Sequence, residues 1–230
     1  MSAASNPFRP PLFAFLSQLA RNNRRDWFES NRARYESEVR QPALRFVADF
    51  APALKRISPH FLAIPSAARG SMFRIHRDVR FSKDKSPYKT SVGLRFFHRS
   101  SGDVHAPGYY LHLEPGACFI GMGVWHPDPT TLRAIRDAMV ADPRTWKRAK
   151  SDPKLNAQLS LGGDRLKRAP KGYDPDHPLI DDLCRTDLVA YQSLTDQEVL
   201  APSFPRRFAQ VCAAGKPLMR WLCQTLKLPY

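Results

Sequence analysis

The chain has little acid, few cysteines and no long apolar run. Its 230 residues hold 21 Asp and Glu against 36 Lys and Arg, for a formal net charge of +15. No uninterrupted apolar stretch approaches the roughly 20 residues that span a bilayer, so no membrane partner is expected. The opening MSAASNPFRPPLF lacks the basic-then-apolar pattern of a secretion signal, and a soluble, cytoplasmic protein is the expectation. Cys118, Cys184, Cys212 and Cys223 form no CxxC pair and no zinc spacing. That excludes a zinc ribbon or dithiol motif and leaves buried free thiols. HExxH, GxSxG, the P-loop and GxGxxG are all missing, which removes the local signatures of zincins, nucleophile-elbow serine hydrolases and dinucleotide folds. No cofactor and no metal is expected. His76, His98, His105, His112, His126 and His177 are scattered along the chain. His112 and Glu114 do share a strand face, so a metal assembled across strands is the alternative there.

What is present is enough for one core. A chain of this length, 43% hydrophobic, suits a single sizeable domain. The first part reads as helix. Leu12, Phe15, Leu16 and Leu19 recur on one stripe, and RRDWFESNRARYESEV follows with Trp27, Phe28 and Tyr35 as its apolar side. Pro42 is expected to interrupt, because it removes a backbone donor. A third helix then carries Leu44, Val47, Phe50 and Leu54 and stops before Pro59. The middle alternates with period two in GSMFRIHRD, SVGLRFFHR, YYLHLEPG and ACFIGMGVW, with turns at Pro107-Gly108 and Pro115-Gly116. Helix returns with Asp-Pro start signals at Asp128, Asp142 and Asp152. A short strand is expected at 165–168, a helical turn at 179–185 and a capping box at Thr195 and Glu198. A last helix is expected from 205 to 226, kinked at Pro217. The fold class is therefore α+β, one domain over 1–230. An antiparallel β-meander (69–125) is covered by N-terminal helices (10–58) and C-terminal helices (128–228).

Residues 74–91, RIHRDVRFSKDKSPYKTS, gather Arg74, Arg77, Arg80, Lys83, Lys85 and Lys89 around two acids, Asp78 and Asp84. Guanidinium forks match phosphate and carboxylate oxygens, and lysines add point charge. Arg74 or Arg77 with Arg80, Lys85 and Lys89 are thus the candidate anion ligands, held in place by Asp78 and Asp84. Tyr88 is a candidate donor or stacking surface, and His76 a candidate base. Lys171 and Tyr173, in the loop GGDRLKRAPKGYDPDHP, are candidates to complete the site from across the sheet. The structural alternative is a network in which Asp78 pairs with Arg80 or Arg77, and Asp84 with Lys85. Two acids cannot neutralise all the bases, so an excess of positive charge remains. In GMGVWHPDPTT, Asp128 is expected to cap a helix, and Gly121 and Gly123 to relieve packing against one.

Arg74-Ile75-His76-Arg77-Asp78-Val79-Arg80-Phe81, then Asp84-Lys85 and Pro87-Tyr88-Lys89, resemble the hallmark of the bacterial proteins grouped as domain of unknown function 2461. FLSQLARNNRRDWF, APGYYLHLEPG and RAPKGYDPDHP fit the same family. The resemblance covers nearly the whole chain. It implies one full-length domain and a motif region, and no named substrate. The function expected is binding of a phosphorylated or other anionic small molecule at the motif, with any catalysis unassigned. The alternatives are a non-catalytic nucleic-acid binder and a structural motif in a partner-binding protein.

Overall fold

Strand alternation divides the sheet into a covered face and an open face. In the computed structural model, which describes residues 5–66, 70–100 and 106–230, the central strands are β2 (Val92–His98), β3 (Gly108–Leu113) and β4 (Cys118–Val124). His105 lies outside the described residues. Val92, Leu94 and Phe96, then Tyr109, Leu111 and Leu113, then Ile120, Met122 and Val124 are all buried. Register places Leu94 opposite Leu111, and Leu111 opposite Ile120, so the alternate side chains form one apolar layer. β1 (Phe61–Leu62) extends the sheet beyond β2. All neighbouring pairs are antiparallel, as the meander predicts.

Two strands lie where helix was expected. β6 (Leu188–Leu194) pairs with β4, and β5 (Ser160–Gly162) pairs with β6, giving the order β1-β2-β3-β4-β6-β5. Residues 165–168 form no strand, and Arg165 makes only an isolated bridge to Arg185. The β6 segment LVAYQSL mixes polar and apolar residues. Only its pairing with a strand some 70 residues earlier in the chain buries Leu188, Ala190 and Leu194, and no local period announces that.

Residues 71–78 are not a continuous strand either. Bridges occur at Met72↔Leu94 and His76↔Tyr88, joined by bonds from Phe73 N–H to Gly93 O, Lys89 N–H to Ile75 O and Arg77 N–H to Pro87 O. Pro87 can accept but has no N–H to give, so the ladder stops there.

Helices cover the apolar face. They include α1 (Pro10–Arg21), α2 (Arg25–Ser30), α3 (Arg32–Arg34) and α4 (Gln41–Ile57). Pro42 does not interrupt. It sits in the first turn of α4, and Tyr35–Arg40 before it is a π-helix running straight into α4. Proline lacks the N–H and crowds the carbonyl four residues back, and a wider upstream turn accommodates both. Asp128, Asp142 and Asp152 cap α5 (Pro129–Ala141), α6 (Pro143–Lys150) and α7 (Pro153–Asn156) with their side chains. α8 (Ile180–Leu183) is the expected helical turn. The Thr195–Glu198 capping box opens α9 (Asp196–Leu200).

The last helix is two helices, α10 (Phe204–Ala214) and α11 (Lys216–Thr225), broken at Gly215 rather than kinked at Pro217. A Cβ on Gly215 would lie 1.8 Å from Met122 Sδ, so the break falls where the chain closes onto β4. Phe46 and Phe50 of α4, Phe204 and Phe208 of α10 and Phe96 of β2 meet as a ring cluster between helices and sheet.

Beside this core lies a buried ionic knot. Asp182 accepts from Trp146 Nε1 at 2.8 Å and from Lys150 Nζ, and its other oxygen faces Arg185 Nε at 3.4 Å. Arg185 also donates to Gly162 O. Among the described residues, no helix is long and apolar enough to cross a membrane.

Candidate functional site

Much of the basic motif is neutralised from within. Arg80 donates through Nε and one terminal nitrogen to both oxygens of Asp78, at 2.9 and 2.7 Å. Arg77 donates to Asp84, the acid expected to pair with Lys85. Lys85 instead donates to Val79 O. Asp84 also accepts from the Ser86 hydroxyl and N–H. Those Ser86 bonds, then Arg77, hold its carboxyl well below the usual range. Arg80 likewise holds Asp78 below its ordinary value.

Tyr88 is anchored on both its ring and its backbone. It is buried, and its ring stacks on Phe28 with centroids 4.1 Å apart. The Asn23 side chain clamps its backbone, accepting from Tyr88 N–H and donating to Tyr88 O. Asn23 escaped the sequence reading because it sits 65 residues away, where an asparagine reads as a helix terminus.

These contacts leave a polar cleft of about 370 Å³, bordered by Asn23, Arg77, Asp84, Ser86, Tyr88 and Lys89. Arg74, His76 and Arg80 are exposed and do not line it. Lys171 and Tyr173 are not brought to it either. Lys171 is exposed, and the Tyr173 hydroxyl donates to Asp137 on α5 at 2.7 Å. Lys171 and Tyr173 lie far along the chain from residues 74–91, and such residues cannot be assigned to a site before the sheet order is known.

The larger concavity lies on the open face of the sheet. It has a volume of about 760 Å³ and is walled by Phe73, Tyr110, His112, Phe119, Trp125 and Tyr191. Gly121 forms part of its floor, and a Cβ there would meet nothing nearer than the Phe119 ring at 3.6 Å. Gly121 and Gly123 thus belong to the face away from the helices, which corrects the expected helix contact. The absent side chain at Gly121 is what leaves room. At Gly93, a Cβ would come within 2.6 Å of the Tyr110 hydroxyl and 2.8 Å of the Phe73 ring, so glycine lets both aromatics lie over β2.

A hydrogen-bonded chain runs along β3 on this face. The Tyr110 hydroxyl is 3.1 Å from His112 Nδ1, and His112 Nε2 is 3.0 Å from Glu114 Oε2. An ionised carboxylate only accepts, so Nε2 carries the proton, Nδ1 is the acceptor and Tyr110 donates to it. His112 stacks on Phe119 with centroids 4.8 Å apart. Burial, with the Glu114 charge adding, pushes the Tyr110 phenol up to about 12. Among the described residues, no three His, Cys, Asp or Glu side chains stand together as a metal site.

The two regions meet at Lys89 and Phe73. Lys89 Nζ stands 5.3 Å from the centroid of the Phe73 ring. Burial, then the neighbouring Arg74 charge, lowers the Lys89 pKa. Among the described residues, neither Lys89 nor Arg74 has a carboxylate within ion-pair distance.

The family model for "Conserved hypothetical protein (DUF2461)" matches residues 11–221. The chain belongs to this family. No curated protein matches it. The match spans α1 through most of α11, so the DUF2461 region here includes the whole sheet, the basic motif and the open-face cavity together.

The cavity residues were only partly legible. YYLHLE alternates, which places Tyr110, His112 and Glu114 opposite the core, but that pattern does not say whether the second face is solvated or concave. The concavity needs Phe73, just before the motif, and Tyr191, from the strand that local patterning did not announce.

Proposed function

We propose that the protein binds a small molecule joining a flat apolar body to an anionic group. The body lies on the open face of the sheet, and the anion lies toward Lys89 and Arg74. The supporting observation is the Lys89–Arg74 pair. Lys89 stands against Phe73, which walls the aromatic cavity, with the Arg74 charge acting on it, and among the described residues neither cation has a carboxylate within ion-pair distance. Like charges in partial burial disfavour each other, and a bound anion relieves both. The volume suits the roughly 300–1,000 Å³ of small-molecule sites.

Calorimetric titration tests this with 1-naphthoate, phenyl phosphate and inorganic phosphate. The two aromatic anions are expected to bind and inorganic phosphate alone is not. Lys89→Met should weaken binding about tenfold, and Gly121→Val should abolish it with little change in melting temperature. Equal binding to wild type and Gly121→Val would sink the proposal.

A second reading, sequence-tolerant binding of single-stranded nucleic acid, rests on a different feature. Phe81 is 95% exposed at the tip of the motif, beside exposed Arg80, Lys83 and Lys85. An exposed ring among cations suits base stacking and phosphate contact. Anisotropy of a labelled oligonucleotide across a salt series should then show affinity that falls steeply with salt and drops in Phe81→Ala. No binding at low salt removes this reading.

A further inference from the structure

We propose that Tyr110, His112 and Glu114 form a proton relay that ends in the open-face cavity and catalyses keto–enol interconversion of a bound 2-oxo acid carrying an aryl body. This rests on the cavity reading above, and names the substrate class for that same site.

Three observations carry it. First, both His112 nitrogens are committed, Nε2 to Glu114 and Nδ1 to Tyr110, so the Tyr110 hydroxyl is the end of the chain that can meet a ligand. Second, Tyr110 lines the cavity and its hydroxyl hangs over Gly93 beside Phe73. That is the end at which Lys89 stands. A carboxylate drawn to Lys89 and Arg74 therefore brings the neighbouring carbonyl and its acidic C–H toward Tyr110. Third, His112 is fixed on two sides, by the Phe119 stack and by Glu114, whose other oxygen is 3.4 Å from Thr90 Oγ1. A structural tyrosine on a solvated sheet face needs none of this support.

The step balances without a co-reactant. The C–H bond next to the ketone breaks, and its proton passes to the Tyr110 oxygen as the phenol proton passes to His112 Nδ1. The electron pair forms the C=C bond and moves the carbonyl electrons onto oxygen. Glu114 stabilises the resulting imidazolium through Nε2–H, and Lys89 and Arg74 face the added negative charge. His112 then returns its proton through Tyr110 to the enolate oxygen. The phenol is never required to persist as phenolate, because it accepts and donates together. Tyr110 is the catalytic residue, and His112 and Glu114 are positioning residues that act through it.

The probe is phenylpyruvate, with the full-length protein in deuterated buffer. Loss of the C3 proton signal is followed by NMR and binding by calorimetry in the same samples. Wild type is expected to accelerate exchange by on the order of 100-fold over buffer. Tyr110→Phe should return the rate to that of buffer. His112→Gln and Glu114→Gln should each lower kcat by about tenfold or more, and Glu114→Gln, which lies outside the cavity wall, should leave KM and the binding constant unchanged. Their melting temperatures report whether the fold is kept, and Glu114, part-exposed at a strand end, keeps the test open if the His112 variant is unstable. Bound phenylpyruvate that exchanges at the buffer rate overturns the relay and leaves the cavity reading standing. So does undiminished exchange in Tyr110→Phe. Failure of phenylpyruvate to bind overturns the relay as well, and if 1-naphthoate also fails, the cavity reading falls with it.

Discussion

Asp182→Ala is expected to remove about 3–5 kcal/mol of stability, because it leaves buried positive charge without its partner. Arg185 is 6% exposed, and its guanidinium Nε faces Asp182. Trp146 is fully buried and loses the acceptor for its indole N–H. Lys150 has the freedom to swing outward, but those two groups do not. For a chain of this size the loss corresponds to a fall of on the order of 10 °C in melting temperature. Asp182→Asn should cost less, since an amide oxygen can still accept from Trp146. Calorimetric or circular-dichroism melting checks both.

The pH dependence follows from direction. Burial alone would push the Asp182 carboxyl up. Hydrogen bonds from Lys150 and Trp146, with the charges of Lys150 and Arg185, outweigh burial and hold it below its ordinary value. A depressed carboxylate contributes stability that is present above its unfolded value, near 4, and is lost as pH falls through the folded value. The gap between wild type and Asp182→Asn should therefore be full at neutral pH and close on acidification below about pH 4. A gap that widens on acidification would contradict the knot as described.

Gly123→Ala is expected to be at least as damaging. Gly123 has φ +127°, and a Cβ there would lie 2.0 Å from Leu188 O and 2.9 Å from Val189 Cα. Both are backbone atoms of β6 or its entry, and neither can rotate away. The clash falls inside the pairing that runs from Cys118↔Leu194 to Val124↔Leu188. A loss of about 4 kcal/mol or more is expected, seen as reduced soluble yield and a lower melting temperature. Gly116→Ala is the comparison. Its φ is +75°, but nothing lies within 4 Å of the missing Cβ. It should cost only about 1–2 kcal/mol, the backbone term alone. If the two variants melt together, the close approach of β4 to β6 is wrong.

These two expectations mark the limits of what local pattern conveys. Asp182 and Arg185 are three residues apart and read as a surface helical pair. Only the packing of α6 and β5 around them makes the pair buried. Gly123 reads as a strand glycine that relieves packing against a helix. Only β6, recruited from the far end of the chain, supplies the carbonyl that forbids a side chain.

The basic motif shows the same division. Its charges were visible, and so was their excess over Asp78 and Asp84. Which arginine took which acid was not, because Arg77 reaches Asp84 across a turn whose path depends on Pro87 and on Asn23 holding Tyr88. The pairing leaves Lys89 beside Phe73, between the polar cleft and the open-face cavity, rather than all the cations around one anion.

The sequence by itself determined the class of the protein: period-two strands between 92 and 124, amphipathic helices on either side, Asp-Pro caps at three helix starts and one core. Those features are local, set by the backbone period and by side chains within a few residues. The tertiary structure alone decided the sixth-strand pairing, the buried Asp182 knot, and the concave open face on which Tyr110, His112 and Glu114 line up beneath Phe73 and Tyr191. Each of these depends on surfaces brought together from distant parts of the chain, and burial, unlike periodicity, exists only once they meet.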